Sequence, residues 1–280
     1  MKNIKKFSII SLVLVLTLAL LTACGGSGSE GSGEAAEEDK TIVVAASPTP
    51  HAVILEAAKD KLAEDGWTLE VKEVPDYVTP NELTSSGDVD ANYFQHVPYL
   101  EQYNEEKGTD LVAVANMHYE KMAIYAGTKD SLDAIAEGDK IGVPNDATNE
   151  ARALKVLAEN GIITLKADAS ETATVEDIAE YPKGKVEIVE LEAATIPTQL
   201  PSLAFGVINA NYAIEADIMD DVVAIEGTDQ QQEDTYVNVI VVAAGNEQSE
   251  KTQALVSAVQ SDEVRKFIED TFNGAVVPKF

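Results

Sequence analysis

Residues Ser86–Leu100 read SGDVDANYFQHVPYL and place Tyr93, Phe94, His96 and Tyr99 within seven positions of a chain that is only 6% aromatic. Gly87 marks a turn, Val89 and Ala91 alternate as strand residues do, and Pro98 suits the first turn of a helix. The rings are therefore predicted at the end of a strand. In open α/β sheets, ligands gather at the C-terminal ends of strands. What these rings do depends on whether the flanking sequence has α/β character.

It does. TIVVAAS (41–47) precedes helical spacing from His51 to Asp65, with Ile54, Leu55, Ala58 and Leu62 on one face and Gly66 closing it, and TLEVKEV (68–74) alternates as a strand. DLVAVAN, KMAIYAG, KIGVPN, VEIVELE, FGVINAN and YVNVIVVAA are further strand candidates, with helices expected over 131–136, 149–160 and 252–272. Strands alternating with helices indicate α/β architecture. Residues 41–280 contain no internal repeat and are enough for two small lobes.

The N-terminus is of another kind. MKNIKKFSIISLVLVLTLALLTAC opens with three lysines, continues with an apolar run from Phe7 to Leu21 and ends in small residues before Cys24, the pattern of an export signal. The run approaches the roughly 20 residues that cross a bilayer, but LTAC followed by Gly25 resembles the lipobox of bacterial lipoproteins, in which the cysteine receives a diacylglyceryl group and becomes the new N-terminus. Cys24 is also the sole cysteine of the 280 residues, so it can form no intramolecular disulfide. Palmitate-type chains would hold it at a membrane, each buried methylene contributing about 0.8 kcal/mol. Gly25–Asp39, GGSGSEGSGEAAEED, has the composition of a flexible tether.

The net charge is −29, and loss of Lys2, Lys5 and Lys6 with the leader makes the remainder still more acidic. Such a chain repels nucleic acid and anionic membrane. Of 20 basic residues only Arg152 and Arg265 are arginines, so each merits individual attention.

Two more strand ends carry unusual polar content. After IGV the chain reads PNDATNEARAL, in which Thr148 or Asn149 can cap a helix and Arg152 falls in its first turn. A cation there opposes the helix dipole unless an anion joins it, so Arg152 with free backbone N–H groups would suit a carboxylate. The alternative is an ion pair with a near neighbour, Glu150 or Asp146. In GVINANYA, Asn209 and Asn211 bracket one alanine before a helix, and a single cap accounts for one asparagine, not two.

DYVTPN, GDVDANYFQHVPYL, VPNDATNEARAL, VELEAATIP, VINANYA, TYVNVIVV and the terminal FNGAVVPKF stand in the order found in the methionine-binding lipoproteins of the NlpA family, which this chain resembles from Thr41 to Phe280. The resemblance implies a two-lobed, type II-like periplasmic-binding-protein fold with two crossover segments. It divides the chain into a signal peptide (1–23), a lipidated Cys24 with tether (24–40), one lobe from 41–124 plus 238–280, and another from 125–237. It implies a lipid-anchored protein on the extracytoplasmic face of the cell membrane, delivering methionine to an ABC permease with its ATPase. It implies, too, that Tyr77, Tyr93, Phe94, His96, Asn149, Arg152, Asn209, Asn211 and Asn238 face the cleft. No cofactor, metal or nucleic acid is expected. The sequence departs from the common family pattern in HYEKMAIYA, where many relatives carry a proline near Lys121, so His118 and Tyr119 are expected to shape the rim.

The chemistry of a free amino acid fits these residue types. Its carboxylate suits the planar fork of Arg152, its ammonium suits asparagine oxygens, and a thioether suits an aromatic wall, where sulfur–ring contacts add roughly 0.3–1.5 kcal/mol. Tyr93, Phe94 and His96 are expected to form that wall. Tyr99 reads as core and His51, in TPHAVIL, as a structural group at a helix start. A methionine derivative, a methionyl dipeptide or another apolar amino acid fits the same reasoning. An extracellular enzyme does not: the chain has no G-x-S-x-G and no H-E-x-x-H, and His51, His96 and His118 lack metal-ligand spacing.

Overall fold

The computed structural model describes residues 40–170, 172–227 and 230–280; the leader, Cys24 and the tether lie outside them. Two mixed sheets carry the architecture. The six-stranded sheet runs from edge to edge as Val276–Pro278, Leu111–Glu120, Asn238–Ala243, Ala91–His96, Thr41–Ala46 and Thr68–Glu73. The five-stranded sheet runs as Val222–Ile225, Ala123–Ala126, Phe205–Ile208, Lys140–Pro144 and Glu187–Leu191.

In the first sheet the strand Thr41–Ala46 pairs in parallel with both Thr68–Glu73 and Ala91–His96. The late strand Asn238–Ala243 then inserts antiparallel between Ala91–His96 and Leu111–Glu120, and its register sets Asn238 opposite both His96 and His118. Three polar residues distant in sequence are thereby aligned across three neighbouring strands. The apolar faces explain the pairing. Ile42, Val44, Ile54, Leu55, Met117, Ile240, Leu255 and Ile268 form one buried cluster. Ile124, Ile141, Val143, Leu154, Leu157, Phe205 and Val207 form another under the second sheet. Gly142 and Gly206 lie side by side in register, and a Cβ at either would come within 2.7–2.9 Å of Leu203, Ile196 or Leu200. Their bareness lets the segment around Ile196 lie directly on the sheet.

The chain passes between the sheets twice. It leaves the first after Glu120 and enters the second at Ala123, then returns between Ile225 and Asn238 through the short helix Gln230–Thr235. Ala123 and Ile124, expected with the first lobe, pair with Ile208 and Val207 of the second sheet, because Met122 and Ile124 bury their side chains in its core.

Local differences from the sequence reading have local causes. The helix expected from His51 to Asp65 is Val53–Ala57 and Lys59–Glu64, interrupted at Ala58, whose N–H turns tightly onto the Leu55 carbonyl at 3.0 Å. The expected 252–272 helix is Glu250–Val259 and Asp262–Phe272, the second restarted by the Ser261 hydroxyl accepting from the Val264 N–H. Residues 131–136 hold a single turn, Leu132–Ala134. An unforeseen helix, Thr79–Ser86, starts where Asp76 Oδ1 accepts from the N–H groups of Val78 and Thr79 at 2.8 and 2.7 Å. It ends at Gly87, whose φ of 79° is the left-handed geometry that glycine adopts without strain.

Candidate functional site

Between the two sheets lies a cavity in which about 380 Å3, open solvent included, is free of protein atoms. Eight predicted residues line it: Tyr77, Phe94, His96, Asn149, Arg152, Asn209, Asn211 and Asn238. Tyr93 does not. It is fully buried in the first sheet's core, its ring edge-on to His51 with centroids 4.7 Å apart and its hydroxyl bonded to His118 Nδ1. Successive strand residues point to opposite faces, so Tyr93 turns away where Phe94 turns toward the cavity. Tyr99 does line the cavity, and its hydroxyl donates to the Tyr77 carbonyl at 2.8 Å. Tyr77, Phe94 and Tyr99 form a ring cluster with centroid spacings of 5.8–5.9 Å, and Tyr77 also packs on Tyr212 at 4.9 Å.

Arg152 sits in the helix Ala147–Glu159, which begins earlier than the sequence suggested. Asp146 is its cap, accepting from the Asn149 N–H at 3.0 Å, so an anion of the chain already occupies the helix N-terminus and Arg152 lies in the second turn. Its ion-pair partner is neither Glu150 nor Asp146 but Glu226. Nε donates to Oε2 at 2.9 Å and Nη2 to Oε1 at 2.5 Å, while Nη2 also donates to the Glu120 carbonyl at 2.8 Å. The guanidinium carbon stands 4.2 Å from the Tyr236 ring centre, a cation–π contact. Burial pushes the Glu226 carboxyl up, but the charge and hydrogen bonds of Arg152, with the Tyr119 hydroxyl and the Met122 N–H, outweigh it and hold the carboxyl below its ordinary range. Nη1 engages no acceptor among the described residues, and Arg152 borders the cavity. Held in place by Glu226, the fork keeps one edge available.

The asparagines show the opposite condition, incomplete satisfaction. Asn209 occupies the cap position of the helix Ala210–Glu215 without using its side chain as a cap. Nδ2 donates to Asn149 Oδ1 at 2.8 Å, whereas Oδ1 is buried with no partner. Asn211 Oδ1 accepts from the Tyr77 hydroxyl at 2.6 Å, and its Nδ2 is likewise buried and unpartnered. Asn238 Oδ1 pairs with His51 Nε2 at 2.9 Å, and His96 Nε2 approaches Asn149 Oδ1 at 3.3 Å. An unpartnered buried polar atom costs about 1–3 kcal/mol. One bare acceptor and one bare donor therefore lie in the lining of a single cavity.

Glu120 was missed by the sequence reading, as one acid among 49 Asp and Glu residues. Its signal was positional, since it closes the apolar strand Leu111–Glu120. It lines the cavity, is 6% exposed, and burial pushes its carboxyl above the usual range against the pull of His51, Arg152 and the Asn211 backbone N–H. His118 and Tyr119, expected at the rim, are fully buried; His118 Nε2 meets Glu120 Oε1 at 2.5 Å and the Tyr119 hydroxyl donates to Glu226 at 2.7 Å. His51 is buried too and does not line the cavity.

Ligating atoms of His51, His118 and Glu120 lie within 4.8 Å of one another, the one such set among the described residues. Two ligands of a tetrahedral zinc at about 2.0 Å stand about 3.3 Å apart. His118 and Glu120 are closer than that, and His51 is spent on Asn238. The set is organised as a hydrogen-bonded group.

A family model described as NlpA lipoprotein matches residues 42–280. The methionine-binding lipoprotein MetQ of Bacillus subtilis is 38% identical over 282 residues, covering 98% of each chain. Among solved structures, a lipoprotein of Ruminococcus gnavus is 58% identical with a TM-score of 0.83, covering 86% of this chain and all of that one. A nutrient-binding protein of Burkholderia cenocepacia, solved bound to methionine, is 37% identical with a TM-score of 0.80, covering 85% of this chain and all of its own.

Proposed function

The chain belongs to the NlpA lipoprotein family, and we propose that it is a lipid-anchored, extracytoplasmic substrate-binding protein that delivers methionine to an ABC importer. It acts by binding, not by catalysis. The observation that carries the ligand reading is the pair of bare asparagine atoms, Asn209 Oδ1 and Asn211 Nδ2. A buried acceptor beside a buried donor suits a zwitterion, which brings an ammonium to the first and a carboxylate to the second. The free Nη1 edge of Arg152 supplies the charge for the carboxylate. Tyr77, Phe94, His96 and Met122 offer a thioether an apolar, polarizable wall; burial of such a side chain contributes about 1.5–3 kcal/mol.

The two sheets form two lobes, one from the strands before Lys121 together with those after Val237, the other from the strands between. Lys121–Met122 and the segment around Gln230–Thr235 serve as the two crossovers of a hinge. Contacts across the cleft, Tyr77 to Asn211 and Tyr212 to the Pro75 carbonyl at 3.0 Å, favour closure. Membrane attachment is through lipid on Cys24, and the partner is a permease with its ATPase.

Calorimetry of residues 25–280 against methionine, alanine, leucine, norleucine and methionyl dipeptides tests the reading. Methionine is expected to bind most tightly, with a more compact small-angle scattering profile at saturation. Tighter binding of a dipeptide or of leucine would transfer the site to that ligand.

A further inference from the structure

We propose that the Glu120 carboxylate receives the α-ammonium of the ligand and makes a free amine a requirement for binding, with His118 and Tyr93 as the residues that position it. The proposal rests on the amino-acid reading of the cleft.

Three features of the geometry lead to it. The first is place. Glu120 is the last residue of its strand, lines the cavity, and lends its own carbonyl to Arg152 Nη2 at 2.8 Å. The Glu120 main chain is thus locked to the cation, and its carboxyl lies near enough to feel the Arg152 charge.

The second is charge. Arg152 is matched by Glu226 in a two-bond pair, which leaves Glu120 as the surplus carboxyl of the cavity. No lysine or arginine side chain bonds to it among the described residues; the groups that face it are His118, His51 at 3.6 Å, and the Asn211 backbone N–H. A buried carboxylate without a cation is costly, and a bound ammonium supplies one.

The third is direction. Glu120 Oε1 is taken by His118 Nε2, and His118 Nδ1 is taken by the Tyr93 hydroxyl. Among the described residues the Tyr93 hydroxyl meets no other acceptor, so the chain of donors closes in one sense: Tyr93 O–H to His118 Nδ1, then His118 Nε2–H to Glu120. His51 donates from Nε2 to Asn238 rather than to the acid. Both imidazoles are neutral, Oε1 is fixed as an acceptor from His118, the Asn211 backbone N–H also bonds the carboxylate, and its two oxygens keep further lone pairs for the ligand. The carboxylate and the bare Asn209 Oδ1 then offer an ammonium two acceptors from opposite lobes. Tyr93, expected on the aromatic wall, acts instead from the layer behind the cavity.

The test compares methionine with 4-(methylthio)butanoate, which lacks the amine, and with N-acetylmethionine, in wild type, Glu120→Gln and Tyr93→Phe, by calorimetry. Wild type is expected to bind methionine at least 10-fold more tightly than either analogue. Glu120→Gln should weaken methionine by on the order of 10- to 150-fold, the span of one charged hydrogen bond, and leave the butanoate within about threefold of its wild-type value. Tyr93→Phe, which keeps the charge and removes only the hydroxyl behind His118, should lose a smaller factor for methionine alone. Equal losses for methionine and butanoate, or Glu120→Gln binding methionine as wild type does, would overturn the proposal while the methionine reading stands. Failure of wild type to bind any free amino acid overturns both. Stoichiometric zinc binding that disappears in Glu120→Gln, with methionine affinity abolished by a chelator, would make the group a metal site and overturn the ammonium role.

Discussion

Arg152 and Glu226, 74 positions apart in sequence, meet through two hydrogen bonds of 2.9 and 2.5 Å with both side chains at or below 5% exposure. Three other donors converge on the same carboxylate: the Tyr119 hydroxyl and Met122 N–H, each at 2.7 Å, and Gln232 Nε2 at 2.8 Å. Glu226 thus ties the first crossover, around Met122, to the second, just before Gln230–Thr235. The pair fastens the two chain crossings to each other as well as holding the arginine.

Arg152→Ala is therefore expected to lower fold stability as well as ligand affinity. Removing one partner of a buried pair costs about 3–5 kcal/mol because the other charge is left uncompensated. Urea denaturation of the unliganded protein should show the loss as a lower midpoint. The double variant Arg152→Met with Glu226→Leu should recover much of the stability without recovering methionine binding. An unchanged midpoint for Arg152→Ala would mean that Glu226 is satisfied by its neutral donors alone.

The three histidines give a pH dependence whose sign is fixed by burial. Burial depresses His51 to about 4 and His96 and His118 to about 3, against 6.5 when exposed. The unfolded chain therefore binds more protons than the folded one as pH falls below 6.5, and stability declines from there toward pH 4. Glu120 runs the other way. Burial raises its carboxyl, and those of Asp146 and Glu150, which works against that decline. Each imidazole kept neutral by the fold adds up to about 1.4 kcal/mol per pH unit to the slope. Denaturation midpoints measured from pH 7 to pH 5 should fall steeply; a flat profile would contradict neutral, buried imidazoles.

Residues whose position follows from local pattern were legible in the sequence, and residues whose position depends on a distant partner were not. Phe94 and His96 were found because a strand end and a following proline are visible within ten positions. Asn209 and Asn211 stood out because one helix start needs only one cap. Tyr93 was misplaced by the rule that selected Phe94, since a ring count carries no information about which side of a strand each ring takes. Glu226 and Glu120 could not be singled out, because a buried acid looks like a surface acid until its cation or imidazole is brought to it. The helix Thr79–Ser86 was carried by a readable signal, Asp76 followed by Thr79 and Pro80, that the nearby aromatic cluster overshadowed. Register did the rest: Asn238 reaches His96 and His118 only because a strand from the far end of the chain enters the middle of the sheet.

The proposed attachment to the membrane through Cys24 is expected to be separable from binding. Cys24→Ala should abolish labelling by a radioactive fatty acid and leave the precursor uncleaved, while a chain from Lys40 onward binds methionine with unchanged affinity, since the cavity draws only on residues from Tyr77 to Asn238. Equal labelling of wild type and Cys24→Ala would rule out LTAC as the acylation site.

Tyr93 and Phe94 are neighbours in sequence with opposite roles, and substituting each separates selectivity from stability. Phe94 lines the cavity and packs its ring against Tyr77 and Tyr99 at 5.9 and 5.8 Å. Phe94→Ala should weaken methionine more than alanine, since the lost wall faces the side chain and not the charged ends. A change of about 1–2 kcal/mol in the difference between the two ligands is expected from removing ring contact with a thioether and part of its burial. Tyr93 lies in the core against His51 with none of its surface exposed. Tyr93→Ala should cost about 3–5 kcal/mol of fold stability, the usual range for emptying a buried aromatic site, and any effect on ligands should track amine content rather than side-chain size. Calorimetry with methionine and alanine, paired with urea denaturation of both variants, reads the two effects independently. If Phe94→Ala weakens alanine and methionine by the same factor, the thioether does not rest on Phe94, and the apolar end of the ligand lies elsewhere in the cavity, against His96 and Met122.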